Sequence, residues 1–166
     1  MHEFFETAFG NGMLAEYGTG LLTTLYLVAA CTVLAYVIGI PLGVILCVTD
    51  RDGIRPQPAV SKVLGLIVNI FRSVPFMILL VMALPLTKAL VGTKVGNTAF
   101  LVPLTLSAAP FVARMVESSL KEVDHGVIEA AQSMGSSNWQ IICKVLLPEA
   151  KPSLLVGAAI AVTTIL

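Results

Sequence analysis

The sequence predicts an all-α, polytopic bundle of membrane-spanning helices, on three observations. The 166 residues are 57% hydrophobic, and only 12% are charged, about half the charged share of a soluble domain. The apolar residues fall in long runs, at roughly 21–48, 63–91, 99–115 and from 145 onward, on the scale of the about 20 residues that cross a bilayer. Of the ten Lys and Arg, six lie between the runs, where loops meet water. Mean hydropathy is +0.92. A formal net charge of +0 leaves no basic surface for nucleic acid.

The first run predicts a span over 21–48, and Gly39-Ile40-Pro41-Leu42-Gly43 inside it predicts a kink or a close helix approach. A polar loop follows, broken by Gly53, Pro56 and Pro58. The second run is interrupted at Arg72-Ser73-Val74-Pro75. We read Lys62 to Arg72 as an interfacial segment and Pro75 onward as the span. A third span is expected over Ala99 to Met115, with Pro103 and Pro110 inside it. A fourth run ends at Leu166 in mid-pattern, from which we expect a fragment with further spans to follow. The N-terminal tail has Glu3, Glu6 and Glu16 and no Lys or Arg, whereas the loop after the first span has Arg51, Arg55 and Lys62. The positive-inside bias therefore predicts an outside N-terminus, with the first loop and the connection after the third span in the cytoplasm, against the pull of Lys88 and Lys94. The tail lacks the positive start of a secretory signal.

Between the third and fourth runs lies EAAQSMGSSNWQIICKVLLPEA, residues 129–150. Asp124 predicts an N-cap for a helix from His125 to Met134, and Gly135 suits the left-handed residue that ends one. Ser137 and Gln140 have the spacing of a capping box that opens a second helix. Val127, Ala131 and Met134 share one predicted face of the first helix; Trp139, Ile142, Cys143 and Leu146 share one of the second. Ala130 and Ala131 leave room for another backbone. The pattern fits equally a helix pair packed on its own spans and a knob seated in a cytoplasmic partner.

No catalytic constellation is present. Without a G-x4-G-K-[ST] loop the chain has no phosphate cradle. His2 and His125 are isolated from each other with no Cys or carboxylate at metal-ligand spacing, His125 is read as a solvated loop residue, and Cys31, Cys47 and Cys143 are read as packing residues. No cofactor or metal is expected on this chain. Arg72 reads as a snorkelling side chain or a partner contact, and Arg114 with Glu117 as an i, i+3 ion pair or a relay of motion. Pro75, Pro85, Pro103 and Pro110 are expected to bend or pack helices, and Met77 and Met82 to fill lipid or core space.

Glu129-Ala130-Ala131, three residues, Gly135, nine residues, then Val145-Leu146-Leu147-Pro148 resembles the loop E-A-A-x3-G-x9-I-x-L-P of ABC importer permeases, with Val145 in place of isoleucine. NIFRSVPFMILL, VPLTLSAAPFVARMVE and KVLLPEA are similar to the permeases of the methionine uptake family. The resemblance implies a permease of the type I importer kind, with about five spans per subunit, in which residues of about 122–148 form the coupling helix region of a single transmembrane domain. It implies a homodimer in the bacterial inner membrane, two ATP-binding cassette subunits that use the ATP, and an external substrate-binding lipoprotein delivering L- or D-methionine. Glu129, Ala130, Ala131 and Gly135 would then shape the docking surface, with Leu147 and Pro148 setting the exit into the next span. Arg72, Arg114 and Glu117 would support the coupling. A charge at Ala131 is expected to uncouple transport. The alternatives are a permease for another amino acid or an osmolyte, and, in a different class, a channel or membrane scaffold.

Overall fold

A computed structural model describes residues 11–165, and all the regular structure in it is helical. The tail with His2, Glu3 and Glu6 lies outside the described residues. Helix α1 spans Asn11–Thr49, α2 Pro58–Ser73, α3 Phe76–Val91 and α4 Asn97–Lys121. Helix α5 spans His125–Ser133 and α6 Asn138–Ile141; a π turn, Ile142–Leu146, leads into α7, Leu147–Glu149, and then α8, Lys151–Ile165.

Two helices are long and apolar enough to cross a bilayer unaided, over Glu16–Thr49 and Asn97–Lys121. Two bent pairs reach that length together: α2 with α3, at 111°, and Asn138–Glu149 with Lys151–Thr164, at 67°. The break expected at Ser73–Pro75 is therefore present. Val74 is extended, at ψ 124, as a residue before proline must be. The helix before this break begins earlier than the Lys62 start expected for it, because Pro58 takes the first helical turn, where its missing N–H costs nothing.

The first span also exceeds its expected limits and runs through Pro41 as one helix. The close approach expected there is present. Cys31, Ala35, Gly39 and Gly43 recur every four residues on the buried side of α1, giving one stripe of small residues. That stripe faces α4. A β-carbon on Gly39 would lie 2.6 Å from Val112 Cγ1, and one on Gly43 would lie 2.7 Å from the Ala113 carbonyl oxygen. Small residues let the backbones meet in lipid, where apolar association has no water to escape.

Helix α4 is the centre of the bundle, burying Leu101, Ala108, Val112, Val116 and Leu120 in the core. It runs through Pro103 and Pro110 and six residues past Met115, beyond its expected end. Phe76 at the start of α3 meets Phe100 edge to face, with ring centroids 6.1 Å apart. Outward from this centre, Leu22, Val37, Met77, Met82 and Leu155 are exposed. Apolar surface on this scale is the mark of lipid or of partner chains rather than water.

Candidate functional site: the capped loop at one end of the bundle

The first loop and the polar connection after α4 meet at the same end. Lys121 closes α4 and pairs with Asp50, just past α1. Its hydrogen bond holds the Asp50 carboxyl below the usual range, helped by the Arg51 backbone amide. Above them lies a cavity of about 270 Å³ lined by Cys47, Asp52, Ile54, Lys121, His125 and Ile128, among others.

The connection is built as the sequence predicts. Asp124 accepts from the Gly126 amide at 2.6 Å, capping α5. The far end closes as a Schellman motif: the Gly135 amide donates to the Gln132 carbonyl at 2.9 Å and the Ser136 amide to the Ala131 carbonyl at 3.2 Å. Gly135 sits at φ +75, a conformation that costs other residues about 1–2 kcal/mol. Gly135→Ala is expected to loosen this turn: hydrogen exchange at Ser136 rises several-fold while the melting point of the protein barely moves. The capping box is complete, with Ser137 N–H donating to Gln140 Oε1 at 2.9 Å and Gln140 N–H donating to Ser137 Oγ at 3.4 Å.

The faces differ from expectation. In α5 the inward residues are Ala131, 3% exposed, and Ile128 beside it; Val127 and Met134 point out, Met134 at 79%. After the capping box, Ile141 and Leu146 are buried at 0% and 1%, whereas Trp139 is 72% exposed. Cys143 is also exposed, not packed. The physical reason is the π turn. The Leu147 amide reaches back five residues to the Ile142 carbonyl, so residues five apart return to one side. A straight 3.6-residue count therefore assigns this face wrongly.

Of the residues singled out in the sequence, Glu129, Ala130 and Gly135 are exposed on this unit, and Ala131 is turned inward as α5 packs on α6 and the π turn. Leu147 packs against the core and Pro148 is exposed. The exit into the next helix lies beyond both, at Ala150, where the 67° bend falls. His125 is exposed, as expected, and opens α5 as the Asp124 cap predicts, so it is a helical residue and not a loop one.

The Arg114–Glu117 pair forms at 2.7 Å, with Glu117 only 9% exposed at its side chain. Glu117 also accepts from Lys121 at 2.9 Å. Arg114 Nη2 donates to the Gly65 carbonyl at 3.0 Å and to Asn69 Oδ1 at 3.1 Å, across to α2. The roles of Asp50, Gly65, Asn69 and Lys121 were missed in the sequence. Helix α2 and the first loop lie far away in the chain, and no local spacing signals them. Arg72 is exposed at the end of α2 and makes no ion pair among the described residues. Those residues include no cluster of metal-ligand types.

Comparison with known proteins agrees with this architecture. Residues 36–166 match the family described as binding-protein-dependent transport system inner membrane component. The probable D-methionine transport system permease protein MetI of Vibrio cholerae is 50% identical over 147 residues, covering 89% of this chain and 65% of that protein. MetI of Yersinia pestis is 46% identical, covering 93% and 71%, and that of Escherichia coli K12 is 47% identical, covering 88% and 67%. A crystal structure of the MetNI methionine ABC transporter in an inward-facing conformation superimposes with a TM-score of 0.91 at 44% identity, over 94% of this chain and 72% of that one. The chain thus spans about two thirds of the length of the curated relatives it matches. With its helices, its capped loop and these likenesses in agreement, the chain belongs to the methionine ABC transporter permease family, the membrane components of binding-protein-dependent transport systems and not their ATPases.

Proposed function

We propose that this chain is the permease subunit of an ATP-driven methionine importer, and that residues 122–148 form the coupling unit seated in its ATPase partner. The observation that carries the second half is the doubly locked helix pair at the loop end of the bundle. It is capped at three points and presents Met134 and Trp139 outward at 79% and 72% exposure. A rigid knob with exposed apolar anchors suits a groove in a soluble protein. The small residue on the outer surface is Ala130, with Glu129 beside it.

The reading brings with it two ATPase copies, a second permease, an external substrate-binding lipoprotein, and ATP consumed by the partner. It places the loop end in the cytoplasm and the N-terminus outside, in keeping with Arg51, Arg55, Lys121 and Lys144 near that end, against the pull of Lys88 and Lys94. Closure of the ATPase dimer would move the coupling unit and rock the helices between inward- and outward-facing states.

The docking test uses Ala130, because a charge at the buried Ala131 would disrupt the protein's own packing first. Ala130→Arg is expected to leave the permease folded in mild detergent while the co-purified ATPase falls at least tenfold and methionine uptake is lost. Unchanged ATPase recovery with Ala130→Arg would remove this surface from the interface. An intact permease that carries no ATPase at all would favour a channel or scaffold.

A further inference from the structure

We infer that Arg114 is a positioning residue that ties the coupling unit to α2, and through the bend at Val74 to α3; this rests on the coupling role proposed above. The observation is a continuous polar chain across three helices. It runs from Asp50 at the end of α1 to Lys121, to Glu117, to Arg114, and ends on the Gly65 carbonyl and Asn69 of α2.

Several features mark it as built rather than incidental. Glu117 is nearly buried, and both of its oxygens are used, one by Arg114 and one by Lys121. Arg114 uses its two terminal nitrogens in opposite directions, Nη1 within α4 and Nη2 across to α2. A lysine would present one compact point of charge where arginine presents a planar fork that spans the two helices. Gly65 is buried, and a β-carbon there would lie 3.1 Å from Nη2, so the absence of a side chain gives the guanidinium access to the α2 carbonyl.

The position of the chain defines what it does. Lys121 is the last residue of α4, and Asp124 caps α5 three residues later. A shift of the coupling unit therefore pulls on the Lys121 end of the chain. Arg114 lies about 10 Å back along α4 at 1.5 Å per residue, where it grips the middle of α2. Helix α2 also packs its buried face, Gly65 and Val68, toward α4 and α1, and it is set off from α3 by 111°. The Arg114 fork is the polar connection by which the amphipathic arm follows the centre of the bundle.

The test uses the assembled permease–ATPase complex in proteoliposomes, with a methionine-loaded binding protein outside. Asn69→Leu removes one acceptor at an exposed site, Arg114→Gln removes the charge, and Asn69→Asp restores an acceptor for the fork. Three quantities are read: ATPase retained on purification, ATP hydrolysis rate, and methionine taken up per ATP. For Asn69→Leu and Arg114→Gln we expect retained ATPase and hydrolysis within about twofold of the parent. Uptake per ATP should fall at least fivefold, and Asn69→Asp should recover most of it. If uptake per ATP stays at the parental value in Asn69→Leu, whether the two rates fall together or not at all, the positioning role is wrong. If Arg114→Gln fails to fold, Asn69→Leu and Asn69→Asp still decide. A parent complex that carries no ATPase would instead overturn the coupling reading itself.

Discussion

Gly43→Ala is expected to cost about 3 kcal/mol, the upper part of the range for overpacking a close contact. The new methyl would lie 2.7 Å from the Ala113 carbonyl oxygen and 2.7 Å from Val116 Cβ. Neither can swing away, since one is helix backbone and the other a β-carbon whose place the backbone of α4 sets. Helices α1 and α4 must separate, and the stripe of Cys31, Ala35 and Gly39 then loses its contacts as well. The control is Gly20→Ala, where nothing lies within 4 Å of the added carbon and helix propensity favours alanine by about 1 kcal/mol. Thermal denaturation in detergent should give a clearly lower midpoint for Gly43→Ala and an equal or higher one for Gly20→Ala. Equal midpoints for both would mean that the two helices do not pack this closely.

Glu117→Leu should be of similar severity for a different reason. Deleting one partner of a buried ion pair leaves the other uncompensated and costs about 3–5 kcal/mol. Here the stranded group is Arg114, whose side chain is only 26% exposed and whose Nε has no partner. Lys121 is better placed, being 45% exposed and still paired with Asp50. The double variant Arg114→Leu/Glu117→Leu removes both charges and should regain most of the lost stability, since apolar replacement of a buried pair is often neutral. Denaturation midpoints for the single and double variants form the cycle. A double variant no more stable than Glu117→Leu would show that the cost lies in packing rather than in an unpaired charge.

What the sequence revealed was local. The caps at Asp124, Gly135 and Ser137 were all legible, because each rests on residues two to five apart and on backbone groups that must be satisfied. The break at Pro75 was legible for the same reason. The helix limits were less so, since α4 runs on from Met115 through Arg114's partner Glu117 to Lys121. Its polar end is paired rather than solvated, and composition alone marks such a stretch as loop. The tertiary ties were not legible at all: Arg114 reaches Gly65, 49 residues away. In α1 the residues are apolar on every side, so hydropathy could not say which side is buried; residue size does, through the small side chains every fourth position. Ala131 was misplaced because an alanine suits an inward face as well as an outward one.

The π turn at Ile142–Leu146 has a consequence for how the two ends of this region are set relative to each other. It amounts to one residue more than a regular helix would need between Ile141 and Leu146, taken up as a local widening without breaking the rod. The surplus acts as a phase adjuster. Upstream, the rotation of the knob is fixed by its caps; downstream, that of α8 is fixed by Gly157, where a β-carbon would lie 2.7 Å from Met115 Sδ. Two rigid modules with independent angular requirements are joined here through two adjustments, the extra residue of the π turn and the 67° bend at Ala150, which makes this short stretch the place where the orientation of the knob can be retuned without repacking the bundle.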